Sequence, residues 1–355
     1  MGQHSLCWED VEEGLQLPSF TYELSLLRLV AFVRASGLYD YVHFDGDYAR
    51  QAGARHAFIS TPHVAGLLGR LLTDWSGPEG EIRSLTFHMR TQSCTDDMLT
   101  VTGRVGRRYR GEDGAYLVDL VDLNIGHALA AHAATAAATM ALPSRSGELA
   151  LPLTSAGSVQ SESPATDVPD FARPFLGKSR SGGWLPAEPL TQDEIHLWCE
   201  ALEDWNPMYW DKSYAASSRY GGIIAPATSM FFGAGSAARL GVGYMKPGEQ
   251  VPDAVSQGLT GIPLLRSLRQ SLVEGSTLVN PPDCPEIAVV QAACRFFIPL
   301  RPGDTARCEL SMKNCSQKKK TRLGEGYFVT TERRFHNQRD ELVRTQEFTV
   351  FHYRV

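Results

Sequence analysis

Leu26, Leu29, Val30 and Val33 recur at i, i+3, i+4 and i+7, the stripe of an amphipathic helix. Ser25 suits an N-cap and Gly37 a left-handed stop, so the spacing predicts a helix over residues 25–36. The pattern returns in the second half, where Thr191-Gln192-Asp193-Glu194 is a capping-box sequence opening a helix through Leu202. A second apolar stretch follows in each half: Val64 to Trp75 after Ser60-Thr61-Pro62, and Met230 to Leu240 after Ala225-Pro226-Ala227-Thr228. Proline near the start suits a first helical turn. Strand-like runs come next, at Arg83 to Arg90, Leu99 to Arg107 and Tyr116 to Leu123. In the second half they are Ile287 to Ile298, Thr305 to Lys313, Gly326 to Arg334 and Leu342 to Tyr353. Turn signals separate them, including Gly111-Glu112-Asp113-Gly114 and Arg301-Pro302-Gly303-Asp304. Ala128 to Ala141 is helical by propensity, but its place after two strands predicts the last strand of a sheet.

Between the two helices of each half lies a polar run. The first reads Gly37-Leu38-Tyr39-Asp40-Tyr41-Val42-His43-Phe44-Asp45 and the second Glu203-Asp204-Trp205-Asn206-Pro207-Met208-Tyr209-Trp210-Asp211. A Tyr-Ala pair follows each, Tyr48-Ala49 and Tyr214-Ala215. One supersecondary unit has been used twice, and that repeat decides the expected fold. The copies differ at the polar positions: the first has His43 with Leu38 five residues earlier, the second Asp204 with Tyr209 five residues later. Residues 144–170, rich in Ser, Pro, Ala and Gly, read as a linker, and residues 241–285 as an insertion. The division expected is 1–143, linker, and 171–355.

Composition narrows the function classes. A formal net charge of −6 gives no electrostatic reason to expect nucleic acid or an anionic membrane. No apolar run approaches the ~18 residues of a spanning helix, and Met1 to Asp10 lacks a secretory pattern. The seven cysteines are scattered without CxxC, which fits reduced thiols and a cytoplasmic location. Neither His127 and His132, five apart, nor the other histidines have metal-ligand spacing. Lys318-Lys319-Lys320 with Arg322 reads as a solvated hairpin, the alternative being a phosphate contact. No metal or cofactor is expected.

Asp204-Trp205-Asn206-Pro207-Met208-Tyr209 matches, at all but its last position, the Asp-x-Asn-Pro-x-His signature of the MaoC-like family of acyl-thioester hydratases and dehydratases, which this chain resembles. Tyr220-Gly221-Gly222-Ile223-Ile224-Ala225-Pro226 resembles the family's glycine-rich approach to its central helix, and Arg301-Pro302-Gly303-Asp304-Thr305 its strand turn. Lys319-Lys320-Thr321-Arg322-Leu323-Gly324 adds to a likeness with the fatty-synthase-type dehydratase branch. The first half resembles the shorter MaoC branch through Gly37 to Asp45, Thr73-Asp74-Trp75 and Ala138 to Pro143.

The resemblance implies an α+β double hotdog, two antiparallel sheets each wrapped around a long central helix. It implies a hydro-lyase acting across the 2,3-bond of an enoyl or 3-hydroxyacyl thioester carried on coenzyme A or an acyl carrier protein. The insertion suggests a bulky acyl group, such as a steroid side chain or polyketide, and a homodimer is compatible with the family. In such chemistry a carboxylate and an imidazole share a water, and a helix N-terminus polarises the carbonyl. Carried over, His43 falls on the family histidine, Leu38 on its aspartate and Asp40 on its asparagine. His43 and Asp40 are therefore the candidate catalytic pair; Leu38, Ser60, Thr61, Asp204, Asn206 and Tyr209 are candidate substrate-binding residues. The competing expectation is a degenerate hotdog that binds an acyl group or catalyses another reaction such as cyclisation.

Overall fold

The computed structural model describes residues 5–38, 40–146, 167–182, 189–229 and 279–355. Helix α1 (Leu26–Ser36) begins where Ser25 Oγ accepts the Arg28 N–H and ends at Gly37 with φ 70°. Helix α4 (Gln192–Leu202) begins with the capping box, Thr191 accepting from Glu194 and the Glu194 carboxylate accepting from Thr191. It ends at Glu203, whose φ of 57° reproduces the left-handed stop without a glycine. The two helices pack together, with the Phe32 and Trp198 rings 4.9 Å apart.

The polar runs that follow fold alike. Asp40 caps a 3-10 turn (Tyr41–His43) by accepting the Val42 N–H, and Asn206 caps α5 (Pro207–Trp210) by accepting the Met208 N–H. Helices α2 (Gly46–Gln51) and α6 (Lys212–Ser217) then start on equivalent caps. Asp45 accepts from the N–H of Asp47 and Tyr48, and Asp211 from those of Ser213 and Tyr214. The sequence repeat is thus a repeat of backbone hydrogen bonding.

Helix α3 (Thr61–Ser76) is the long central helix of the first half, with Leu67, Leu68, Leu71 and Leu72 fully buried. Two of its glycines permit the second half to approach. A Cβ on Gly66 would meet Leu202 at 2.5 Å, and one on Gly69 would meet Thr228 at 2.4 Å. The strands are β1 (Phe20–Glu23), β2 (Glu81–Met89), β3 (Met98–Arg110), β4 (Tyr116–His127) and β5 (Ala130–Ala141) in the first half. In the second they are β6 (Ser179–Gly182), β7 (Glu286–Phe296), β8 (Ala306–Cys315), β9 (Lys319–Thr321), β10 (Gly324–Asn337) and β11 (Leu342–Arg354). They form one 11-stranded antiparallel sheet in the order β1-β3-β4-β5-β2-β7-β11-β10-β8-β6, with β9 paired to β10.

The halves join edge to edge through β2 and β7, from Ser84 opposite Arg295 to His88 opposite Gln291. One core cluster runs through both, from Leu29 and Leu68 to Trp198 and Phe296. The alanine-rich stretch is strand β5: pairing with β4 and β2 on its two sides overrides its helical propensity. The basic run forms the β9–β10 hairpin, with Lys319 and Lys320 exposed. The helix expected at Met230 to Leu240 lies outside the described residues, as do most of the linker and the insertion as far as residue 278. Among the described residues no helix is long and apolar enough to cross a membrane.

Candidate active site

His43 closes the 3-10 turn, and the strand-like segment leading into α3 holds it. Its Nδ1 lies 2.9 Å from the Phe58 carbonyl, and the Phe58 N–H in turn donates to Val42 O. A carbonyl only accepts, so Nδ1 carries the proton and Nε2 holds the basic lone pair. The ring is 9% exposed, edge-on to Phe58 at 5.2 Å. Two residues beyond Phe58, buried Ser60 is the N-cap of α3 and Thr61 its first residue. Ser60 forms no side-chain cap, so this helix start keeps first-turn N–H groups that the helix itself does not consume. Leu38 is half-buried, its N–H donating to Ser36 Oγ at 3.3 Å. Asp40 is also half-buried and spends one carboxylate oxygen on the Val42 N–H at 3.4 Å.

His63, in the first turn of α3, lies behind His43. It is buried, stacked on Phe32 at 4.0 Å, with Nε2 3.2 Å from Tyr22 Oη. The Tyr22 hydroxyl donates to the Ala201 carbonyl at 2.8 Å, so His63 Nε2 donates to Tyr22. Burial, to which any protonation of nearby His43 would add, pushes the His63 pKa down to about 3, and the ring stays neutral. Sequence reading missed this support because β1 is short and carries no motif.

The second turn docks elsewhere. Arg70, two turns into α3, donates to the Leu202 carbonyl at 2.8 Å and lies 3.3 Å from the Glu203 carboxylate. Asp204 is 3% exposed and accepts the Asn206 N–H at 3.2 Å. Burial raises its carboxyl to about 7; the Asn206 hydrogen bond opposes this and the Asp74 charge adds to it. Asn206 is buried in its cap. Tyr209, at the position of His43, is buried beside Asp204, and desolvation raises its hydroxyl well above the ordinary range. His63 and Asp74 are eleven residues apart on α3, roughly 16 Å at 1.5 Å per residue. His43 lies near His63 and Asp204 near Asp74, so the two polar turns sit toward opposite ends of α3.

Beside Tyr209 a cleft opens between α4, β2, the segment 220–229 and the strand ends of the second half, including Leu190, Phe296, Phe335 and Arg344. Its rim is braced by Glu81, which accepts from Tyr220 Oη at 2.7 Å and lies 2.8 Å from Arg219 and 3.2 Å from Arg83. The glycine-rich segment is thereby fastened to the first residue of β2.

Residues 186–269 match the model of the FAS1-like dehydratase domain region. A protein of Thermomonospora curvata named a probable enoyl-CoA hydratase alpha subunit is 29% identical over 179 residues, 50% of this chain and 48% of that protein. The chain thus spans about half the length of the curated relative it matches. A MaoC domain protein of Chloroflexus aurantiacus, a proposed dehydratase, superposes with a TM-score of 0.66 at 11% identity over 99% of this chain and 98% of that one. A conserved hypothetical double-hotdog protein of Mycobacterium tuberculosis superposes with a TM-score of 0.61 at 13% identity, covering 98% and 99% of the two chains. The superpositions show the double-hotdog fold, and the matched segments are similar in sequence to proteins described as dehydratases and hydratases.

Proposed function

We propose that the chain is an enoyl-thioester hydratase or dehydratase whose reacting end is the N-terminus of α3. The observation that carries this reading is the His43 imidazole, fixed through Nδ1 to the Phe58 carbonyl just ahead of that helix start. In the hydration direction Nε2 takes a proton from water, and the oxygen bonds to C3 of the enoyl group. The electron pair moves through C2 to the thioester oxygen, where first-turn N–H groups and the helix dipole stabilise the enolate. A proton returned to C2 completes the addition; Asp40 is the carboxyl proposed to share this proton traffic with His43. The substrate is an acyl thioester of coenzyme A or of a carrier protein, and a bulky acyl group fits the size of the inserted segment.

A second reading, an acyl-binding or non-hydrating hotdog, is favoured by the division of the signature pair: Leu38 with His43 at one turn, Asp204 with Tyr209 at the other. The description of the Thermomonospora relative as an alpha subunit supports it.

Leu38→Asp, assayed beside wild type on crotonyl-CoA, separates the readings. If Asp40 already works with His43, wild type hydrates crotonyl-CoA and the added carboxylate lowers the rate, because adjacent carboxylates raise each other's pKa. Inactive wild type with a gain in the variant would mean that the carboxylate is missing and Asp40 does not supply it. Inactivity in both would refute hydration of a simple enoyl thioester.

A further inference from the structure

In the second half of the sheet, one face of β10 and β11 carries two arginines. Phe335 stands opposite Arg344 and Arg333 opposite Gln346, so Arg333 and Arg344 are diagonal neighbours on one face of β10 and β11. Such neighbours lie about 7–8 Å apart. Arg344 is 8% exposed and lines the cleft beside Tyr209. Its Nη1 donates to the Ser229 carbonyl at 2.6 Å, its guanidinium lies 4.2 Å over Phe335, and its buried Nε has no partner. Arg333 lies 4.9 Å over the Phe348 ring, and among the described residues no carboxylate pairs with either guanidinium.

The carboxylates lining the cleft are held by other groups. Glu81 is bound by Tyr220, Arg219 and Arg83, and Glu194 by its capping box. Asp304 accepts from Arg301 N, Gln338 and Arg339. Burial lowers the pKa of both arginines, and each lies near Cys294 and Cys308, which burial keeps as neutral thiols. A buried guanidinium such as Arg344, with half-buried Arg333 beside it and no carboxylate paired to either, costs stability unless an anion joins it. The remaining walls near Arg344 are apolar: Phe296, Phe297, Ile298, Leu300 and Val343.

We propose that this cleft binds an elongated apolar ligand by a terminal carboxylate held at Arg344, with Arg333 adding positive charge from the neighbouring position on the same face. A planar carboxylate can accept from the unpartnered Arg344 Nε–H while its chain lies along the phenylalanine wall. The site is separate from the reaction at His43 and does not rest on hydration.

Calorimetric titration of the full chain with decanoate and with decanol, the same chain without the charge, tests it without turnover. Decanoate is expected to bind at least about tenfold more tightly than decanol, the scale of a charge-assisted hydrogen bond. Arg344→Met should abolish the preference and Arg333→Met weaken it, each with unchanged circular dichroism. Arg344→Lys, which keeps the charge if the methionine variant fails to fold, should retain part of it. Equal binding of the two probes by wild type would overturn the proposal, as would a preference surviving both methionine substitutions. Displacement of decanoate by equimolar inorganic phosphate would overturn it in favour of a phosphate-bearing ligand.

Discussion

At the end of α1 the turn carries Leu38 and His43; at the end of α4 the same turn carries Asp204 and Tyr209. The backbone hydrogen bonds coincide, down to Asp40 and Asn206 accepting from the residue two positions on. The chemistry does not. The first turn sets a nearly buried imidazole against the start of a long helix, backed by a neutral His63. The second buries a carboxyl with its pKa near 7 beside a tyrosine and opens onto a cleft lined by Arg344. The two turns share a scaffold, which caps and packing determine, and differ at the polar positions it presents.

The largest expected effect breaks the packing that holds the two turns in register. Trp198→Ala removes a fully buried ring from the contact between α4 and α1, and should cost about 3–5 kcal/mol in urea unfolding. Because one core serves both halves, the loss should appear as a single cooperative transition; separate transitions would mean that the halves are stable independently.

The next effect separates the turns by pH. The folded Asp204 pKa is raised, so its stabilising protonated form is present at low pH and is lost as pH rises through about 7. The folded His63 pKa is lowered, so its stability is present above the ordinary histidine range and is lost as pH falls from about 6.5 towards 3. The two slopes oppose each other. Asp204→Asn keeps an acceptor for the Asn206 N–H and removes one slope. Relative to wild type, the variant should gain on the order of 2 kcal/mol in unfolding free energy between about pH 5 and about pH 8. A constant difference would show that Asp204 is not held protonated.

A smaller effect sharpens the comparison of the two stops. Gly37 and Glu203 share the left-handed conformation, but only Glu203 carries a side chain, which pairs with Arg28 at 2.5 Å and Arg70 at 3.3 Å. Gly37→Ala should cost about 1 kcal/mol, because alanine pays the left-handed strain without such contacts. A Tm equal to wild type would contradict this.

The repeat and the elements with regular period were legible in the sequence: α1, α3, α4 and seven of the strands follow their apolar spacing. The alanine-rich strand was legible only from its position, since long-range pairing overrides local propensity. Three features were not legible. Strands β1 and β6 are too short for a period, so Tyr22, which anchors His63, went unseen. Alternation along β10 and β11 shows that Arg333 and Arg344 share a face with Phe335 but not that this face borders the cleft. The placement of the two turns toward opposite ends of α3 depends on how α4 docks along that helix, which no local pattern encodes.

The measurement closest to the central claim is the steady-state hydration of crotonyl-CoA by wild type, His43→Ala and Asp204→Asn, with folding of each checked by thermal unfolding. If the N-terminal end of α3 is the reacting end, His43→Ala should lose about 100-fold or more in kcat. Its thermal midpoint should fall only slightly, as losing one hydrogen bond to a carbonyl costs about 1–2 kcal/mol. Asp204→Asn should stay within about threefold of wild type, a shift under 1 kcal/mol in the barrier. Full activity in His43→Ala, with loss of activity in Asp204→Asn, would contradict the account and move the chemistry to the other end of the helix.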